Sequence, residues 1–219
     1  MTDLLNISEI PNQIICYPRF KEVDRQKRLE ELRGLGIESI LPGGEKKVGT
    51  SSVLGKGCVS IAVLARTRFG TSVLKIRRTD ANRSNMFHEA EMLVYANSFS
   101  VGPRLWASSE NFLLIEYVDG PLLTEWLRSA KRGEPERLKP MLRSLITQCY
   151  IIDRIHVDHG ELSNASKHVI VRDTDCSPTI IDFESASRTR HVKNLTSICH
   201  FLFMTRENSE ILKLFDLHV

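Results

Sequence analysis

The sequence predicts an α+β protein of two lobes, β-rich at the front and α-rich at the back. Three observations predict it. Before residue 118, short runs of β-branched and apolar residues alternate with glycine turns. After Pro121, one apolar stripe of 3.6-residue period takes over. Between them stands the turn Asp119-Gly120-Pro121, and a cleft between the lobes is the expected place for a ligand.

Each element follows from its own pattern. Residues 19–33 carry Phe20, Val23, Leu29 and Leu32 among charges, with Gly34 after them, which predicts an amphipathic helix with a glycine stop. Strands are expected at 37–41, 46–54, 59–66 and 71–77, punctuated by Gly43-Gly44, Gly55 to Gly57 and Gly70. Residues 84–97 read as a helix with Ser84 as its cap, and 104–107 and 111–118 as a buried strand pair. A short helix at 122–131 is broken by Gly133 to Pro135. Over 136–157, the residues Leu138, Met141, Leu142, Leu145, Ile146, Cys149, Ile152 and Ile155 trace one helical face. Strands at 169–172 and 178–181 flank a polar turn at 173–177, and helices near 191–204 and 207–217 follow. The expected division is an N-terminal extension at 1–49 packed on a front lobe of 50–118, then a back lobe of 119–219.

Composition narrows the setting. The chain has 219 residues, enough to bury a core without staples, and its 42% hydrophobic and 26% charged residues are ordinary for a globular protein. Five widely spaced cysteines with no C-x-x-C pair argue against a zinc site and for free thiols in a reducing compartment. No run approaches the length of a membrane span, and Met1 to Glu9 lacks a basic n-region, so a cytoplasmic protein is expected. Net charge is only +3, but Arg66, Arg68, Arg77, Arg78 and Arg83 crowd one region and Lys131, Arg132, Arg137, Lys139 and Arg143 another. Such clusters read equally as a solvated face or as a polyanion-binding surface.

The chemistry lies in an ordered set of motifs. Gly55-Lys56-Gly57 sits between two strands, where missing side chains let backbone N–H groups approach phosphates; alone it is also a plain glycine hairpin. Lys75 follows within the apolar strand Val73-Leu74-Lys75-Ile76, and the helix after it offers Glu89 and Glu91. Then come Leu113 to Gly120, the segment His156-Val157-Asp158-His159-Gly160-Glu161-Leu162, and Thr179-Ile180-Ile181-Asp182-Phe183-Glu184. Asp182, ending an apolar strand, suits magnesium, since hard cations take oxygen donors.

In this order the motifs resemble the atypical, RIO-like protein kinases, over about residues 50–190. Within that group they are most similar to small archaeal kinases related to the kinase subunit of the KEOPS tRNA-modification complex. The resemblance implies a protein-kinase-like fold with a reduced C-lobe, and ATP and Mg2+ as cofactors. It implies that Gly55, Lys56, Gly57 and Lys75 bind the nucleotide phosphates. Glu89, in the pattern E-x-x-h-L, would orient Lys75, and the carbonyl of Glu116 and amide of Val118 would pair with adenine. Glu161 stands where the family's catalytic aspartate stands, one methylene longer, with Asp158 as the alternative. Asp182 would hold the metal, helped by Asn164, which has the right chemistry, or His168, which has the right place before the strand.

The H-G-E-L, K-H-V-I-V and I-I-D-F-E elements resemble the archaeal tRNA kinase family, which implies phosphorylation of a ribose 2′-hydroxyl in tRNA. The chain shows no A-P-E element after Asp182, so no peptide platform is expected, and Arg19, Lys21, Arg25, Lys27, Arg28 and Arg33 would extend an RNA-binding surface. A Ser/Thr protein kinase is the alternative, a nucleotide-binding pseudokinase the third reading, and a KEOPS-like protein the implied partner.

Overall fold

A computed structural model of the chain describes residues 5–129 and 135–205, and it is a mixed α+β fold with an antiparallel sheet. The chain divides into two compact units, Met1–Glu91 with Arg104–Tyr117, and Met92–Pro103 with Val118–Val219.

The first unit is built on strands β1 (Leu5–Asn6), β2 (Ile37–Leu41), β3 (Lys46–Val48), β4 (Ser51–Val53), β5 (Gly55–Lys56), β6 (Ser60–Thr67), β7 (Gly70–Arg77), β8 (Leu105–Ser108) and β9 (Phe112–Glu116). The main sheet runs β1-β2-β6-β7-β9-β8, with β5 paired to β6, while β3 and β4 form a separate hairpin. Helices α1 (Asn12–Ile15) and α2 (Glu22–Gly34) precede the sheet, and α3 (Phe87–Asn97) lies between β7 and β8 in sequence. Strand alternation sorts the side chains: Leu74 and Ile76 of β7 join Ile61, Val63 and Ala65 of β6 in one core with Ile14, Ile15, Leu29 and Leu32 from the helices. Each Val, Leu or Ile among them, fully buried, contributes about 1.5–3 kcal/mol.

A polar knot lies beside this core. The guanidinium of Arg28, 2% exposed, donates to the carbonyls of Ile15 and Arg77 at 2.6 and 2.7 Å and to Asn111 Oδ1 at 3.0 Å. Asn111 Nδ2 in turn donates to Glu31 at 2.6 Å. Burial pulls the Arg28 pKa down, and the three oxygens answer by satisfying its N–H groups. Arg28 is therefore no part of a basic outer surface. Neither is Arg25 wholly at large, since it donates to Asn12 and Ser8, and Lys27 pairs with Glu110.

The second unit holds α4 (Leu123–Ser129), α5 (Pro135–Arg154), the strand pair β10 (Val169–Val171) and β11 (Pro178–Ile180), and α6 (Asn194–Met204). Leu138, Met141, Leu142, Leu145, Cys149 and Ile152 of the expected stripe are buried on one face of α5, while Ile146 is half-buried and Ile155, also half-buried, lies past the helix end.

Several boundaries differ from expectation. Residues 46–54 are not one strand but a hairpin, because the chain reverses at Gly49 with φ +58, and Gln13 occupies the space a Cβ would need. The first long helix starts at Glu22 rather than 19, because Tyr17 O and Arg19 N bond Thr79 and hold that segment against β7's end. Helix α3 starts at Phe87 rather than 84, capped by Asn85, whose Oδ1 accepts the Phe87 N–H at 3.1 Å, and not by Ser84. Helix α5 stops at Arg154 because His156 turns left-handed at φ +54. The expected helix at 207–217, the residues Lys131 and Arg132, and most of the break at Gly133 to Pro135 lie outside the described residues. Among the described residues no helix is long and apolar enough to cross a membrane.

Candidate active site

In the first unit, β7 presents Lys75 on the face opposite Leu74 and Ile76, with Ala62 of β6 and Leu113 of β9 as its cross-strand neighbours. Its ammonium meets Glu89 Oε1 at 2.5 Å, and both residues are under a tenth exposed. Glu91, two positions on, is exposed, so Glu89 is the partner. A charge pair this buried forms only where the fold holds both groups, since either one alone is costly.

The glycine turn is tighter than an open cradle. Gly55 and Lys56 pair with Ala62 and Ile61, and the Gly57 N–H closes the turn on the Ser60 carbonyl at 2.8 Å. Arg78 donates to the Gly57 carbonyl at 2.9 Å. The Lys56 ammonium and the Arg78 guanidinium each lie 5.0 Å from the ring centre of Tyr17, so Tyr17 gathers cations beside the turn. At the far end of β9, Glu116 and Arg104 exchange hydrogen bonds: Glu116 N donates to Arg104 O, and Arg104 N to Glu116 Oε2. The chain leaves the first unit after Tyr117, and Val118 is buried in the second.

In the second unit, the loop from Val157 to Glu161 is clamped by the start of α6. Asp153 accepts the N–H groups of Asn194 and Leu195, capping α6, while the Asn194 side chain donates to Val157 O and accepts from His159 N. Asp158, 2% exposed, exchanges backbone hydrogen bonds with Ser187 and takes the Arg190 guanidinium on Oδ2 at 2.8 Å. Gly160 follows at φ +88, where a Cβ would come within 2.5 Å of Arg190. Asp158 is thus part of the loop's frame, and Glu161 is the carboxylate left accessible.

Glu161 is held at both oxygens. Ser185 donates its hydroxyl to Oε1, and His168 Nε2 faces Oε2 at 2.8 Å. His168 is 9% exposed at its side chain, and its Nδ1 lies 3.7 Å from Asp182 Oδ2, so one buried imidazole stands between two carboxylates that are 40% and 38% exposed. Asp182 takes the left-handed conformation at φ +69, ψ +68, uncommon for any residue but glycine, and opens a one-turn 3-10 helix at Phe183–Ser185. Carboxylate oxygens of Asp182 and Glu184 come within 4.8 Å of each other. Asn164, in the turn after Glu161, accepts the Ser166 hydroxyl on its Oδ1 at 2.7 Å.

Sequence reasoning named Glu161, His168 and Asp182 but missed Ser185, Glu184, Arg190 and Asn194. A Ser three residues beyond a strand-end Asp carries no signal until the 3-10 turn brings it back to Glu161. The clamp from Asn194 is equally non-local.

His159, behind this group, is 0% exposed, with Nε2 donating to Ile181 O at 2.9 Å and its ring edge-on to His168 and Phe183. Burial lowers its pKa from 6.5 to about 4, outweighing the pull of Asp182 and Glu161. The unfolded chain therefore binds this proton more readily. The stability His159 contributes is whole above pH 6.5 and is lost as pH falls from there toward 4, about 3 kcal/mol in all. Denaturant unfolding at pH 7, 5.5 and 4.5 should show this slope in the parent and a shallower one in His159→Gln; equal slopes would remove His159 as the cause.

A scan against protein-family models and a search of curated proteins both give no match to the chain.

Proposed function

We propose that the chain is an ATP- and magnesium-dependent phosphotransferase that passes the γ-phosphate to a hydroxyl, with a ribose 2′-hydroxyl of tRNA as the favoured acceptor. With this goes a protein-kinase-like fold, the first unit as N-lobe and the second as reduced C-lobe, working in the cytoplasm. The buried Lys75–Glu89 pair at 2.5 Å carries the reading. A strand lysine kept for solubility would be exposed; one held by a helix glutamate is oriented to present its ammonium to phosphates.

The second unit carries chemical groups of its own. Glu161 accepts the hydrogen bond of the acceptor hydroxyl and then its proton. Because Ser185 and His168 fix both of its oxygens, the extra methylene of glutamate costs little in aim. The donor set fits magnesium: Asp182 and Glu184 offer hard oxygens, with Asp182 partly open to solvent. His168, a nitrogen donor facing Glu161, is a positioning residue in this reading. Magnesium, when bound, screens the charge on the phosphoryl group in transit.

The test is ATP labelled at the γ-phosphate, offered with total tRNA and separately with protein extract. Label that nuclease removes and protease spares is expected. Label that survives nuclease but not protease would replace RNA by a protein acceptor, and no label in either would end the phosphotransferase reading.

A further inference from the structure

The turn between β6 and β7 carries an aromatic stack that phosphoryl transfer does not use. Phe69, 41% exposed, lies flat on Trp106 of β8, with ring centres 4.5 Å apart and planes 8° from parallel. Rings so close admit nothing between them. The Arg68 guanidinium, 4.8 Å from the Phe69 centre, and that of Arg104, 5.3 Å from Trp106, therefore cover the two outer faces. The result is a four-layer stack of cation, ring, ring and cation.

The stack stands on a rigid base. Trp106 packs against the main core of the first unit, and the Phe69 N–H donates to the Thr67 hydroxyl at 3.1 Å, which fixes the turn. Arg66, Arg68 and Arg104 are all exposed. The acidic groups near them are Glu116, bonded to the Arg104 N–H, and exposed Glu38 at the bulge of β2 opposite Arg66 and Thr67. Cations prevail around the rings.

We infer that this stack binds unpaired nucleobases of a single-stranded nucleic acid, RNA if the proposed activity holds. Arg68 and Arg104, both exposed, yield the outer ring faces to bases, which stack there whatever their identity, and their guanidiniums turn to the phosphates between the bases. A duplex keeps its bases stacked on one another and offers none to the platform. The inference deepens the RNA reading, since it specifies a loop or tail rather than a helix, and rests on that reading only for what is done to the RNA.

Binding is measured without ATP, by anisotropy of a labelled, unstructured oligoribonucleotide of about ten nucleotides, a size suited to such surfaces. Duplex RNA, an oligodeoxynucleotide and heparin are the comparisons, and Trp126→Phe leaves Trp106 as the fluorescent reporter. Expected are Trp106 quenching by both single strands and by neither duplex nor heparin, and about a tenfold loss of affinity in Phe69→Ala, within the range for one stacked base. Arg68→Gln should weaken binding and flatten its salt dependence. Duplex or heparin binding as tightly as the single strand, or Phe69→Ala binding like the parent, overturns the inference. A protein that binds the oligonucleotide through Phe69 yet transfers no phosphate would sink the kinase reading alone.

Discussion

Lys75→Ala is expected to lower phosphoryl transfer at least ~100-fold, the scale of removing one preorganised electrostatic contact. The same change strands Glu89 without the ammonium it meets at 2.5 Å, and breaking so buried a pair costs about 3–5 kcal/mol of stability. The two effects are separable. Lys75→Met combined with Glu89→Leu removes both charges and keeps the volume, so the fold should recover most of its unfolding midpoint while transfer stays lost. Urea unfolding read beside the transfer rate decides it. A double variant that transfers phosphate would show that Lys75 only braces the sheet.

Glu161→Gln carries the other large effect. Gln can still accept from Ser185 but must turn an amide N–H2 toward His168 or away from it, and it takes up no proton. A loss of ~10²–10⁴ in kcat is expected, with a melting temperature close to the parent's. Asp158→Asn should behave in the opposite way: it weakens the Arg190 contact at 2.8 Å and lowers stability before it lowers rate per folded molecule. If Asp158→Asn abolishes kcat while Glu161→Gln leaves it within about threefold, well short of a general-base effect, the roles are exchanged. His168→Asn adds a check on aim. It should lower kcat with little change in KM, because it loosens Glu161 without touching substrate.

What could be read in the sequence was what local pattern controls. The period-2 alternation of β7 put Lys75 on one face and Leu74 and Ile76 on the other, and the apolar stripe of α5 marked its buried side before any coordinates. Glu89 was legible only through the pattern E-x-x-h-L that the family resemblance supplies; helical spacing alone left Glu91 equal to it. The failures share a cause. A hairpin hidden in 46–54 turns on Gly49 fitting around Gln13, thirty-six residues earlier, and no window of sequence contains that contact. The capping of α3 by Asn85 rather than Ser84 was a choice between neighbours of equal propensity that local pattern does not decide. In the second unit Glu161 and Asp182 were foreseen, but Glu184 was not, and Ser185, which holds Glu161, and Arg190 and Asn194, which hold its loop, have no signature of their own. Charge counting misled most. It assigned Arg28 to an outer surface, whereas a guanidinium ringed by three oxygens is an interior strut.

That strut bears on how the chain can be cut. Of the seventeen side chains in the first unit's buried cluster, nine precede residue 50, from Ile10 to Val48. The segment ahead of the motifs is therefore half of their foundation. A fragment trimmed to the recognisable motif region would expose the underside of β6, β7 and β9 to water and be prone to self-association.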